Sequence, residues 1–184
     1  QAGHDDSIDD QIIACKNVGL DGATHIYCAS SGFRRVGGKI TKHLGLNECA
    51  MCFDDIYTEV IADDVHIGEN LFKFIYKCKG YEKIILVSDA LAPCGAPVGE
   101  YILGDNTPVI ADGTAAYLKD KSALAGSTTN IAKMVEIIVR YGVPLEKAVY
   151  CATESPRKYL GLEIPALSVG YDASFNVVDE RGKV

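Results

Sequence analysis

The sequence predicts an α/β protein built on a parallel β-sheet, and three observations carry that prediction. Residues 83–90 read Lys-Ile-Ile-Leu-Val-Ser-Asp-Ala, an aliphatic run that stops at the carboxylate of Asp89. A short apolar run of this kind suits a strand buried on both faces, as in a parallel sheet covered by helices. Strand-like stretches alternate with helical ones of roughly ten to twelve residues, the rhythm of right-handed β-α-β crossovers. Finally, His4, His25, His66 and Asp89 stand at or near the ends of predicted strands. In parallel sheets and barrels that rim is where ligands and catalytic groups collect.

The elements follow in order. A strand end at 1–4 delivers His4, and Ser7 is expected to cap a helix whose apolar face is Ile8, Ile12 and Cys15, with Gly19 ending it. Residues 22–29 form the next predicted strand. The segment 30–48 carries Gly32, Gly37 and Gly38 with the cations Arg34, Arg35, Lys39 and Lys42, and reads as a loop and as the one basic patch, with His43 exposed in it. A strand over 56–62 leads to Asp63, Asp64 and His66. A helix over 69–78 has Leu71, Phe72, Ile75 and Cys78 at helical spacing and closes at Gly80. After Asp89 the rhythm breaks. Residues 99–103, a turn at Gly104-Asp105-Asn106, and 109–117 around Asp112-Gly113 predict an antiparallel ribbon inserted at about 97–120. A helix over 127–141, capped by Ser127 or Thr128, a helix that begins at Val143-Pro144 with Pro144 expected in its first turn, a short one after Ser155-Pro156 and a strand over 173–179 complete the chain.

Composition narrows the function classes. With 184 residues, 48% hydrophobic and 23% charged, the chain suits one globular domain with at most a small appendage. No apolar run reaches the length of a membrane span, and the net charge of −7 opposes binding to nucleic acid or anionic membrane. The opening Gln-Ala-Gly-His is neither a signal peptide nor a Met start, so the chain is expected to begin within a longer one. Seven cysteines in a chain of this size point to reduced thiols in a cytoplasmic protein. Cys49 and Cys52, the one C-x-x-C pair, read as small buried hydrophobes rather than a metal or redox site.

If the strands are parallel, His4, His25, His66 and Asp89 converge on one rim. Imidazoles and a carboxylate are the donor set that Zn²⁺ or Fe²⁺ prefers, with room for a water.

The motifs Gly3-His4, Thr24-His25-Ile26-Tyr27-Cys28-Ala29, Ile61-Ala62-Asp63-Asp64-Val65-His66, Val87-Ser88-Asp89-Ala90 and Leu124-Ala125-Gly126-Ser127 run through nearly the whole chain in this order. In order and spacing the chain resembles the N-acetylglucosamine-6-phosphate deacetylase family of the amidohydrolase superfamily. The resemblance implies the C-terminal half of a metal-dependent (β/α)8 barrel over 1–166, with the inserted ribbon, and a strand of a small β-sandwich over 167–184. It implies His4 and His25 as ligands of zinc or iron, Asp89 as the catalytic acid/base and His66 as a substrate contact. A further ligand, a glutamate, would come from ahead of this chain. Cys28 and Ala29 occupy the place where the family usually shows Asn-Ala beside the sugar phosphate, and Arg34 matches a phosphate contact. The implied reaction hydrolyses N-acetylglucosamine 6-phosphate to glucosamine 6-phosphate and acetate.

The alternatives are another amidohydrolase, dihydroorotase-like or dipeptidase-like, and a non-catalytic metal-binding or assembly module. A half-barrel leaves sheet edges open, so a homodimer is expected, with an interface beyond about 2,000 Å².

Overall fold

The computed structural model describes residues 1–164 and 167–184. Its centre is a parallel sheet of β1 (Gly22–Ala23), β4 (Tyr57–Val60) and β5 (Ile84–Leu86), in that order across the sheet. Single parallel bridges extend it at both sides, Ala2 to Ala23 and Ala90 to Ser127. The expected β-α-β rhythm is therefore present. All three β5 residues are buried, as an aliphatic run covered on both faces requires.

Between β1 and β4 lie the hairpin of β2 (Arg34–Arg35) and β3 (Lys42–His43) and the helix α2 (Leu46–Cys52). The basic segment read as a loop thus contains both. Gly45 opens α2, and the Glu48 carboxylate accepts from its N–H at 3.0 Å. His43 is not free in solvent, because its Nδ1 bonds Asp9 Oδ1 at 2.9 Å and ties the hairpin to α1 (Asp9–Lys16). Ser7 does not cap α1. Ile8 takes that place, and the Ser7 hydroxyl turns back to Asp5.

The helix α3 (Glu69–Lys79) matches its expected bounds, with Glu69 in the first turn, Lys77 and Lys79 in the last, and Gly80 at φ 65 closing it. Phe72 and Ile75 are buried completely in a core shared with Ile26, Leu46, Ile61, Ile84, Met134 and Ile138.

The insertion is larger than the expected ribbon. Strands β6 (Gly99–Ile102), β7 (Pro108–Ala111), β8 (Ala115–Leu118) and β9 (Leu124–Ser127) form a four-stranded antiparallel sheet. Ser127, expected to cap a helix, is instead the last residue of β9. The cap of α4 (Ile131–Arg140) is Asn130, whose side chain accepts from Lys133 N–H at 2.9 Å. Helices α5 (Leu145–Ala152) and α6 (Glu154–Tyr159) follow and lie against β5. Pro144 stands just before the first turn of α5 rather than inside it.

Two strand expectations fail. The strand over 22–29 is regular only at Gly22–Ala23: Thr24 N–H still donates to Ala2 O and Ile26 N–H to Glu59 O, both at 2.8 Å, but His25 and Tyr27 take left-handed backbone and turn the chain into the site. The strand over 173–179 does not form. That segment runs without a pairing neighbour among the described residues, with Phe175 and Val177 exposed. The domain boundary expected at 166 falls on 165–166, outside the described residues.

Candidate functional site

Each parallel strand hands the chain to an irregular turn at its C-terminal end, and those turns enclose a cleft of about 290 Å³. Its wall includes His4, His25, Cys28, Ala29, His66 and Asp89, together with Tyr27, Ala123 and residues 124–126 of β9. Six of the seven residues singled out from sequence are thus brought together. The seventh, Arg34, is not among the lining residues. Its guanidinium donates to the carboxylate and carbonyl of Asp6 and to Ser7 O at 2.9 Å.

The backbone at this rim is unusual. His4 (φ 50), His25 (φ 22), Tyr27 (φ 64) and Asp89 (φ 45) all adopt left-handed conformations. Non-glycine residues rarely do so, and when they cluster it is at sites whose surroundings hold them in place. Here the surroundings can be named. Asp89 O accepts from Ser127 N–H at 3.0 Å, and Ser127 O accepts from Leu91 N–H at 3.0 Å. Gly126 must be glycine for this approach, since a Cβ there would lie 2.9 Å from Asp89 O. Tyr27 N–H donates to Asn47 Oδ1 at 2.9 Å while Asn47 Nδ2 donates to Ser30 O at 3.1 Å, so the buried Asn47 of α2 pins the turn that carries Cys28 and Ala29.

His4 and His25 meet through their Nε2 atoms, 2.9 Å apart. Two nitrogens bound to one tetrahedral metal at 2.0–2.1 Å would be roughly 3.3 Å apart, so this pair is close to the spacing a shared cation needs. His25 is buried, and its Nδ1 has no hydrogen-bond partner among the described residues. No third His, Cys, Asp or Glu joins the two at ligand distance among the described residues. The donor set therefore fits a divalent cation but supplies two of its ligands.

On the other side of the cleft Asp63 organises His66. Asp63 Oδ1 accepts from the N–H groups of Val65 (3.0 Å) and His66 (2.7 Å), and Oδ2 bonds His66 Nδ1 and Ser127 Oγ, both at 2.8 Å. Burial works to raise the Asp63 carboxyl, yet the bonds from the His66 ring, the His66 N–H and Ser127 outweigh it and hold the group below the usual carboxylate range. Asp64, next in the chain, turns away and accepts from Arg140 and the Tyr141 hydroxyl. The Cys28 thiol is pushed up to about 12, first by desolvation in the cleft wall and then by the charges of Asp89 and Asp63. It is a poor donor and a protonated one.

Asp63, Ser127 and Asn47 were not among the site residues read from sequence. The Asp-x-x-His spacing of Asp63 and His66 was the available signal for the first. Nothing local marks Asn47, whose partners lie 17 and 20 residues away.

The amidohydrolase family matches residues 5–183 of the chain. The chain belongs to that family. Within it, the chain is 29% identical over 181 residues to an N-acetylglucosamine-6-phosphate deacetylase of Lysinibacillus sphaericus, covering 97% of this chain and 45% of that protein. It is 26% identical over 160 residues to an N-acetylgalactosamine-6-phosphate deacetylase of Shewanella sp. (strain ANA-3), covering 86% and 38%. Among solved structures, an N-acetyl-D-glucosamine-6-phosphate deacetylase mutant of Mycobacterium smegmatis in complex with N-acetyl-D-glucosamine-6-phosphate superposes with a TM-score of 0.87 at 26% identity, covering 98% of this chain and 47% of that one. The chain thus spans between 38% and 47% of the length of these three proteins.

Proposed function

We propose that this amidohydrolase chain is the C-terminal half of a (β/α)8 barrel and carries the histidine and aspartate part of the site of an N-acetylamino-sugar 6-phosphate deacetylase. The observation that supports this most is the gathering of His4, His25, His66 and Asp89 in one cleft at the C-terminal ends of parallel strands. The relatives over nearly the whole chain are deacetylases of that substrate class.

In this reading His4 and His25 hold a divalent metal, zinc or iron, which when bound supplies Lewis-acid polarisation and activation of water. Asp89 accepts a proton at its carboxylate as water attacks the acetamide carbon, then gives that proton to the amine nitrogen, so that the sugar leaves as a neutral amine. His66 has Nδ1–H committed to Asp63 and offers Nε2 to a substrate oxygen. Cys28 and Ala29 shape the far wall, and Arg34 is a phosphate contact only if it leaves Asp6. The reading extends to a cytoplasmic homodimer and to residues 167–184 as part of a small β-sandwich.

The test is acetate release from N-acetylglucosamine 6-phosphate, with the galactosamine epimer alongside. Asp89→Asn is expected to lower turnover about a hundredfold or more with metal content unchanged. Near-normal turnover would exclude Asp89 from proton transfer.

A further inference from the structure

Asp63 carries more of the site than a hydrogen-bonded core carboxylate needs to. Its side chain is 0% exposed and that of His66 is 5% exposed. Its two oxygens accept four bonds, two from main-chain N–H groups and one each from an imidazole and a hydroxyl. The two main-chain donors both engage Oδ1 and so fix the orientation of the carboxylate. That leaves Oδ2 pointing at the ring. An ionised carboxylate only accepts, so the nitrogen facing it must carry hydrogen. The fourth donor belongs to Ser127, which is itself fully buried and also accepts from Thr129 N–H at 3.0 Å. The same Ser127 holds the Asp89 carbonyl through its main chain.

We infer that Asp63 is the positioning residue of this site: it fixes His66 as the Nδ1–H tautomer with Nε2 bare toward the cleft, and Ser127 ties that setting to the backbone of Asp89. Asp63 itself touches no substrate. The inference rests on the reading of His66 as the ring that faces substrate, and it adds what keeps that ring in one state. In other proteins, losing the carboxylate behind a histidine costs turnover through the wrong tautomer while the geometry persists.

The test is long-range proton–nitrogen correlation on the ¹⁵N-labelled chain in alkaline buffer, where histidine rings are neutral. The His66 signals are assigned from their loss in His66→Asn. The wild-type ring should show Nδ1 protonated and Nε2 bare. In Asp63→Asn the two main-chain N–H groups claim the amide oxygen, so the amide nitrogen faces the ring and the protonated and bare signals should exchange. A general structural role for Asp63 would not produce that exchange. A folded Asp63→Asn that keeps Nδ1–H overturns the inference. So does a wild-type ring carrying hydrogen on Nε2, whether or not the variant folds. Neither readout uses acetate release, so an inactive protein with the expected tautomer would count against the deacetylase reading alone.

Discussion

The two sides of the cleft are organised in opposite ways. On the His66 side the polar atoms behind the ring are answered by the chain itself: Asp63 accepts four bonds and Ser127 both gives and receives. On the side of His4 and His25, two nitrogens face each other and the buried Nδ1 of His25 has no partner among the described residues. Folding completes the first arrangement. The second is a pair of donors spaced for something they share. A protein can preorganise a substrate contact with hydrogen bonds alone, whereas a metal ligand set reaches its lowest energy only with the ion present.

The sharpest way to break this contrast is Asp63→Ala. It strands two main-chain N–H groups, an imidazole N–H and a hydroxyl in a closed interior, and should cost about 3 kcal/mol or more by urea unfolding, since each buried unmet donor carries its own penalty. A loss below about 1 kcal/mol would mean that water replaces the carboxylate and that the His66 side is no more self-sufficient than the other.

Next in size is the effect on metal. Changing His4 and His25 together to alanine should lower retention of zinc, by elemental analysis after dialysis, more than about tenfold, and Asp63→Asn should leave it nearly unchanged. Retention that survives the double change would move the ion away from this pair.

The smallest expected effect is in pH dependence. The Asp63 carboxyl is held down in the folded state, so the unfolded chain binds its proton first as pH falls. The stability it contributes is fully present above the unfolded value of about 3.9 and is lost as pH drops through the lower folded value. Other depressed carboxyls, Asp112 at about 2 among them, act with the same sign. The informative quantity is therefore the difference: between pH 5 and 3 the urea midpoint of Asp63→Asn should fall less than that of the wild type. Parallel curves would show that this carboxylate does not titrate with folding.

Periodicity and punctuation made much of the fold legible. The aliphatic run ending at Asp89 became the buried β5, and Gly80 closed α3 where expected. Spacing also placed His4, His25, His66 and Asp89 together, because in a parallel sheet the ends of successive strands must share a rim. What failed lacked a local signal. The seven residues of α2 are held by burial of Leu46, Cys49 and Ala50, and glycines just upstream hid them. The stretch after Ala23 has strand-like residues, but its backbone turns to aim His25. The segment 173–179 alternates like a strand, yet a strand exists only beside a partner. Asp63 was in plain view in its motif and escaped because an aspartate after a strand ordinarily starts a turn. It does that here too, with Oδ1, while Oδ2 does something else.

The left-handed backbone at His4, His25 and Asp89 has a consequence for how this chain could change over generations or in a selection. Glycine occupies that conformation without strain, while a histidine or aspartate there costs of order 1 kcal/mol or more. Screening variants for thermal robustness alone would therefore reward replacing the very side chains that converge in the cleft. A library scored only on folding should drift toward a sturdier but empty scaffold, and only a screen that also scores ligand or turnover would retain these residues.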